Sequence, residues 1–308
     1  MALDLQALTA YTNENRDSII AGAVAGAKSA QTLNLQVGYK SAGAINIMDT
    51  SVTFQADVSG RTPNDTTTFS QRILTVGAIK IEENIDVKAL NAYWTQHALK
   101  AGSADDVFPF EQEWTDRKVA KISETLEKAI WQGDTVNTGS ANLRHFDGLL
   151  KHIDADSNVI DGNTASVTTA ITKANVIGIM DDVYEAVPLP VLESGEVKIF
   201  CGFDVFRTYT QALKDSNLYH YSANNSNFEI EVPGTDVKIV ALQGLSGTSR
   251  IIAGKTDNFV LGTDLENEEE EFDVWYSKED KVVKFDAQFK YGTQIAFPEQ
   301  IVEFTLGA

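Results

Sequence analysis

The chain has 308 residues, 43% of them hydrophobic, so it can bury a core in one large domain or in two ordinary ones. Its 44 acidic residues outnumber its 25 basic ones, and the formal net charge of −19 disfavours nucleic-acid binding through a broad basic surface. The single cysteine, Cys201, excludes an intrachain disulfide and a cysteine-cluster metal site. Because no apolar run of about 18 residues and no signal-peptide pattern is present, we expect function in a cytoplasm, without a membrane partner.

The first quarter of the chain predicts an arm followed by a long projecting loop. Residues 1–43 are rich in small and polar side chains, which favours an extended or partly helical arm. From Ala44 apolar and polar residues alternate, turn formers gather at Ser59 to Asp65, and a β-branched strand returns as far as Ile85. Two strands of this length bury too little by themselves, so we expect the loop to contact a second copy of the chain.

Two helices follow in the prediction. The first runs from Val87 to Leu99, with Asp86 as its N-cap. The second, from Pro109 to Gln132, carries apolar residues at three- and four-residue steps and ends before Gly133. At 1.5 Å per residue it forms a rod of about 33 Å, long enough to serve as a structural spine.

The rest of the chain predicts a compact α/β unit and then further strands. Its predicted helices are 172–186 and 203–215, and its predicted strands are 197–201, 228–232 and 237–242. Strand-like segments then follow at 250–261, 272–276, 281–289 and 300–306. The whole pattern is that of an α+β protein.

Several local sequences in this order resemble the major capsid proteins of tailed bacteriophages, which share the Hong Kong ninety-seven fold with bacterial encapsulins. The segments that carry the resemblance are Thr75-Val76-Gly77-Ala78-Ile79-Lys80-Ile81, Ala92-Tyr93-Trp94-Thr95-Gln96, Pro109-Phe110-Glu111-Gln112-Glu113-Trp114-Thr115, Leu126-Glu127-Lys128-Ala129-Ile130-Trp131-Gln132-Gly133-Asp134 and Phe146-Asp147-Gly148-Leu149-Leu150. The resemblance implies an N-terminal arm (1–43), an extended E-loop hairpin (44–85), a peripheral domain (86–164 and 250–308, spine helix 109–132) and an α/β axial domain (165–249).

The resemblance also implies a function. The protein would self-assemble into pentamers and hexamers of an icosahedral phage head, located in the virion and assembled in the cytoplasm of a bacterial host. The head would enclose double-stranded DNA, bound non-specifically, with portal, scaffolding and possible decoration proteins as partners. The N-terminal sequence lacks the long extension that some relatives use as a built-in scaffold, which favours a separate scaffolding protein.

Position in the loop and the contact value of arginine and aromatic side chains suggest Arg61, Phe69 and Arg72 as intersubunit contacts. Some relatives crosslink a loop lysine to a neighbour's asparagine. The tip from Val58 to Arg72 has no lysine, so we expect a non-covalent shell.

Chemical motifs in the sequence are incomplete, so we expect no enzyme activity, no cofactor and no metal site. Gly22 to Ser29 nearly matches a phosphate-binding loop, but Ala27 replaces the second glycine. Asp154 to Asn158 begins like a calcium loop, yet Val159 replaces its glycine. Two alternatives stay open: an encapsulin-like nanocompartment shell that holds an enzyme cargo, and an α/β enzyme.

Overall fold

The computed structural model describes residues 22–57, 60–61, 63–86, 110–137, 139–167, 169–216, 228–264, 271–280 and 282–307. The predicted helix 87–99 lies outside these residues. The helices are α1 Lys28–Thr32, α2 Phe110–Gln132, α3 Leu149–Ala155, α4 Val176–Ala186, α5 Leu189–Glu193 and α6 Phe203–Asp215. The strands are β1 Asn34–Val37, β2 Ala42–Thr50, β3 Thr67–Thr75, β4 Gly77–Asp86, β5 Ile160–Asp161, β6 Val197–Gly202, β7 Glu229–Glu231, β8 Lys238–Leu242, β9 Ile251–Lys255, β10 Phe259–Thr263, β11 Glu271–Ser277, β12 Val282–Ile295 and β13 Val302–Phe304.

These strands form two sheets and a separate hairpin. The first sheet has the order β1-β10-β12-β11, and β4 pairs with the other edge of β12. The second sheet has the order β5-β13-β9-β6-β8-β7, with parallel pairs at β5-β13 and β6-β8. The hairpin β2-β3, called the ribbon below (residues 42–75), pairs with neither sheet. The α+β class is confirmed.

The second sheet separates two apolar clusters. Alternate residues of a strand face opposite sides of a sheet. In β6, Phe200 belongs to the cluster around α2 and the first sheet, whereas Ile199 and Cys201 belong to the cluster around α4 and α6. Because both of its faces are covered, β6 is a nearly continuous run of buried residues.

The helix α2 is the spine of the first cluster. Its buried apolar residues recur at helical spacing, as the sequence predicts: Ile122, Leu126, Ala129, Ile130 and Trp131. The Trp131 ring lies 5.8 Å from that of Phe200 and 6.1 Å from that of Phe259, measured between centroids. The helix therefore joins a strand of each sheet through one aromatic group.

Residues 22–37 of the expected arm pack into the folded body. Ala23, Val24, Ala27, Ala30 and Leu33 are buried in the α2 cluster, and β1 pairs in parallel with β10. Small side chains make this packing possible because they let the segment approach α2 closely. Residues 1–21 of the expected arm lie outside the described residues.

Four predicted elements differ from those observed. The strand predicted to return from the loop tip as far as Ile85 is two strands, β3 and β4, and β4 pairs with β12 in the first sheet instead of continuing the hairpin. The predicted helix 172–186 begins only at Val176, because the Asn175 side chain accepts hydrogen bonds from Thr172 and closes a turn there. The predicted strand 250–261 is two strands, β9 and β10, joined by a 3-10 turn at Thr256–Asn258. The alternation from Ala44 continues past Thr50 in sequence, but β2 ends there, since Asp65 accepts the Thr53 N–H and replaces the ladder pairing.

Candidate functional site

The ribbon is the element that the sequence singles out, and its register sorts its side chains between two faces. The antiparallel pairs run from Ala42 opposite Thr75 to Thr50 opposite Thr67. Residues directly opposite each other point to the same side of a hairpin. The inner face therefore carries residues 43, 45, 47, 49, 68, 70, 72 and 74, and the outer face carries residues 42, 44, 46, 48, 50, 67, 69, 71, 73 and 75.

The inner face rests on the body of the same chain. Leu74 is fully buried and Ile47 is 9% exposed. A β-carbon placed on Gly262 would lie 2.5 Å from Leu74 Cδ2, so the glycine opens the space that Leu74 fills. Tyr39 covers the same place, because its ring lies against Gly43. The base of the ribbon is therefore fixed by close packing.

Arg72, one of the three suggested contact residues, lies on this inner face. Its Nη2 donates to Asp156 Oδ2 at 2.6 Å, and both side chains are mostly covered. Burial raises the pKa of Asp156, but hydrogen bonds from Arg72 and Asn158 outweigh it, so the pKa lies below its ordinary value. In this chain Arg72 holds the ribbon to the end of α3.

A second arginine binds beside it. Arg250 Nη1 donates to Asp154 Oδ1 at 2.7 Å and to Glu303 Oε1 at 2.8 Å. Burial raises the pKa of Glu303 to about 7, with a further contribution from the charge of Asp154. Two acidic residues at the C-terminal end of a helix oppose its dipole, and here each is compensated by an arginine from another element. In the sequence, Asp154 and Asp156 belong only to the start of an incomplete calcium loop, and nothing in it links them to Arg72 or Arg250.

The outer face of the ribbon is exposed and uncharged. Its large apolar side chains are Met48 (64% exposed), Phe69 (79%) and Ile73 (63%). Between them, Gln71 Nε2 donates to Asn46 Oδ1 at 2.8 Å, and threonines occupy the end positions. Phe69, one of the three suggested contact residues, is therefore exposed on the outer face, and Met48 and Ile73, which were not suggested, are exposed on the same face.

Beyond the ladder, the tip of the loop adds further exposed apolar area. Val52 is 69% exposed and Phe54 is 97% exposed. Arg61 is also exposed. Phe69 and Arg72 lie on opposite faces of the ribbon, so the structure does not bring the three suggested residues into one cluster.

A groove lies between α2 and β4, with a volume of about 240 Å³. Its floor is apolar and includes Ile79, Ile81, Ile122, Leu126 and Phe289. Lysines stand at its rim, and each is paired with a glutamate: Lys80 with Glu82, Lys118 with Glu83, and Lys121 with Glu124. Each of these lysines thus has a carboxylate partner, and His145 is a further titratable residue in the lining of the groove.

Residues of the incomplete phosphate-binding motif form hydrogen bonds within the folded protein. In the near-match to a phosphate-binding loop, the Lys28 ammonium donates to the carbonyl of Ala241 and Ser29 Oγ donates to Glu127. No set of three or more His, Cys, Asp or Glu side chains within the described residues is arranged to hold a metal ion. Across the same part of the chain, no helix combines the length and apolar character needed to cross a membrane.

Comparisons with known proteins agree with the fold. Residues 94–241, just under half of the chain, match the family described as SU10 major capsid protein. No curated protein sequence matches the chain. Among solved structures, the satellite phage P4 procapsid including size determination (Sid) protein aligns with a TM-score of 0.60 and 12% identity, over 95% of this chain and 91% of that chain.

Two further structures show the same architecture. The capsid of the empty GTA particle has a TM-score of 0.62 and 11% identity, over 93% of this chain and 90% of that chain. A virus-like particle from Pyrococcus furiosus has a TM-score of 0.52 and 11% identity, over 96% of this chain and 99% of that chain. The chain thus has the Hong Kong ninety-seven capsid fold, and its residues 94–241 are similar to the SU10 major capsid protein family.

Proposed function

We propose that the protein assembles into the pentamers and hexamers of an icosahedral phage head that encloses double-stranded DNA. The observation that carries this proposal is the match to capsid folds along more than nine-tenths of the chain. The ribbon supports it, because one face is bound to its own chain and the other is left exposed. On this proposal the protein is located in the virion and assembles in the cytoplasm of a bacterial host, with portal, scaffolding and decoration proteins as partners.

The acidic composition fits non-specific enclosure of DNA. A chain with a net charge of −19 carries far more acidic than basic side chains, and affinity for DNA depends mainly on contacts between basic side chains and phosphates. Walls that attract DNA weakly allow the polymer to slide and pack as it enters. We therefore propose a container for DNA and no sequence-specific DNA site.

The four parts expected from the sequence are retained as a proposal, with refined bounds. The cluster around α4 and α6 supports an axial unit at 165–249 that also includes β5, β9 and β13, because Ile251, Ala253, Val302 and Phe304 belong to that cluster. The cluster around α2 supports a peripheral unit, and β4 belongs to its sheet, so the projecting hairpin ends at Thr75 and not at Ile85. Residues 22–37 pack with the peripheral unit, so the arm proper is shorter than 1–43. Phe69 and Arg61 are proposed as contacts between copies, and Arg72 is proposed to position the ribbon.

The experiment is electron microscopy of the protein expressed alone and with its candidate scaffolding protein. We expect closed polyhedral particles or rings of five or six copies. Compact monomers or dimers in both conditions would contradict the proposal. Particles of small diameter that hold a protein cargo and no DNA would instead support the nanocompartment alternative.

A further inference from the structure

We propose that the turn at the end of α3 (residues 154–158, called the α3 turn below) is a proton-controlled switch, in which a proton on Glu303 keeps Arg72 of the ribbon bound to Asp156. The inference concerns the single chain and does not depend on the proposed assembly. It goes beyond the ion pairs described above, because it makes the attachment of the ribbon depend on the charge of a residue in the second sheet.

The α3 turn joins the two arginine sites. Asp154 lies in the last turn of α3 and Asp156 is its C-cap, so only one residue separates the partner of Arg250 from the partner of Arg72. The turn is also bonded internally, since Asp156 Oδ1 accepts the backbone N–H and a side-chain N–H of Asn158, each at 3.1 Å. A displacement of Asp154 therefore moves Asp156 as well.

Negative charge is in excess around Glu303. The charged residues that act on its carboxyl are Arg250, which precedes β9, Asp154 of α3 and Asp161 of β5. The residues on either side of Glu303 in β13 belong to the cluster around α4, so the Glu303 side chain points away from that helix. This side chain is only 11% exposed, so water stabilises its negative charge poorly and a proton is the charge that the site lacks.

One proton on Glu303 balances these charges. Burial raises the pKa of Glu303 to about 7, and the charge of Asp154 adds to this effect although Arg250 opposes it. Below this pH, Arg250 is paired with a single carboxylate, that of Asp154. Above it, the ionised Glu303 competes with Asp154 for the same nitrogen, Nη1, and repels the Asp154 carboxylate towards solvent, where its side chain is already 49% exposed. That movement loosens the bond between Asp156 and the ribbon.

Trypsin can report this release within one molecule. The protease binds an arginine side chain in its own pocket, so cleavage after Arg72 requires release from Asp156, whereas cleavage after the exposed Arg61 does not. Cleavage after Lys128, in α2, requires unfolding of the spine helix and reports global unfolding. The unassembled protein is treated with trypsin at pH 6, 7 and 8, and the initial rates at the three sites are measured by mass spectrometry. The ratio of the Arg72 rate to the Arg61 rate cancels the pH dependence of the protease.

Two variants complete the experiment. Glu303→Gln keeps the size of the side chain and removes its charge, and Asp156→Asn weakens the partner of Arg72. In wild type we expect the Arg72-to-Arg61 ratio to rise about tenfold from pH 6 to pH 8, because the ionised fraction of a group with a pKa of about 7 rises about tenfold over that range. The ratio should stay low in Glu303→Gln and high in Asp156→Asn at every pH, with slow cleavage after Lys128 throughout.

Three results would overturn the inference. The first is a wild-type ratio that does not change with pH, or that changes equally in Glu303→Gln. The second is a low ratio in Asp156→Asn, since the ion pair would then not be what protects Arg72. The third is a rise in cleavage after Lys128 that matches the rise after Arg72, because the pH would then unfold the whole protein instead of releasing the ribbon. None of these results bears on whether the chain assembles into particles, so the proposed function is tested separately.

Discussion

The segment before β1 is held to α2 by a buried polar cluster whose loss should destabilise the whole protein. Ser29 donates to the carboxylate of Glu127 twice, from its backbone N–H at 2.9 Å and from Oγ at 2.7 Å. Its Oγ also accepts the indole N–H of Trp131 at 2.7 Å. Ser29 and Trp131 are fully buried and Glu127 is 4% exposed, so water cannot replace a missing partner.

Replacement of Ser29 by alanine removes the hydroxyl and leaves almost no cavity. The lost hydrogen bond to a charged group is worth about 1.5–3 kcal/mol, and a buried indole N–H left without an acceptor costs about 1–3 kcal/mol. Burial raises the pKa of Glu127, and the Ser29 hydrogen bonds counteract this, so the variant should raise that pKa further. We expect Ser29→Ala to lower the free energy of unfolding by about 3 kcal/mol, a large part of a typical stability of about 5–15 kcal/mol.

Urea unfolding followed by circular dichroism measures this effect, and a loss of about 3 kcal/mol should move the midpoint by about 1 M. Thr32→Ala is the matched control in α1, because Thr32 Oγ1 bonds only to the carbonyl of Lys28 one turn earlier. In a Trp131→Phe background the cost of Ser29→Ala should fall by about 1–2 kcal/mol, since no indole N–H is left unpaired. A Ser29→Ala protein within about 0.5 kcal/mol of wild type, or no coupling to Trp131→Phe, would refute the reasoning.

Three further predictions concern the joint beside α3 and the ribbon. In the folded protein the pKa of the Glu303 carboxyl is raised to about 7, so its contribution to stability should be lost as the pH rises from about 4.5 to 7. Over this range the unfolding free energy of Glu303→Gln, relative to wild type, should therefore increase by up to about 3 kcal/mol. A difference between the two proteins that is constant with pH would contradict this assignment. Arg72→Ala leaves Asp156 without its arginine partner and should cost about 1 kcal/mol, with faster proteolysis of the ribbon than in wild type; equal cleavage rates would show that the ion pair does not hold it. Mature particles should run as a single band on denaturing electrophoresis, because residues 58–72 contain no lysine; covalent ladders would disprove the non-covalent shell.

The sequence predicts best those elements whose signal is periodic. The helix predicted over 203–215 has those ends in the structure, since Gly202 precedes an amphipathic run that stops at Asp215. The spine helix 109–132 is confirmed from Phe110 for the same reason. The turn between β9 and β10 was missed because Asn258 closes it with hydrogen bonds to Phe297, a residue 39 positions away. Alternation within a segment contains no information on such partners.

The candidate site was predicted only in part, for a related reason. Period-two alternation places Phe69 on one side of the hairpin and Arg72 on the other, but it cannot say which side meets the body. That choice is made by Leu74 and Gly262, which are close in space and distant in sequence. Similarly, Asp156 lies 84 positions from Arg72, and no local pattern connects the two residues.

The pairing of β1 with β10 ties the order of folding to the order of synthesis. Asn34 lies opposite Val260, so the early strand has no partner until most of the chain has left the ribosome. At about 5–20 residues per second, that delay is on the order of ten seconds or more. During this interval α1 and β1 cannot complete the part of the folded protein on which the inner face of the ribbon packs. Until Val260 to Thr263 have been synthesised, a nascent chain therefore lacks both the partner strand of β1 and Gly262, the residue against which Leu74 of the ribbon packs.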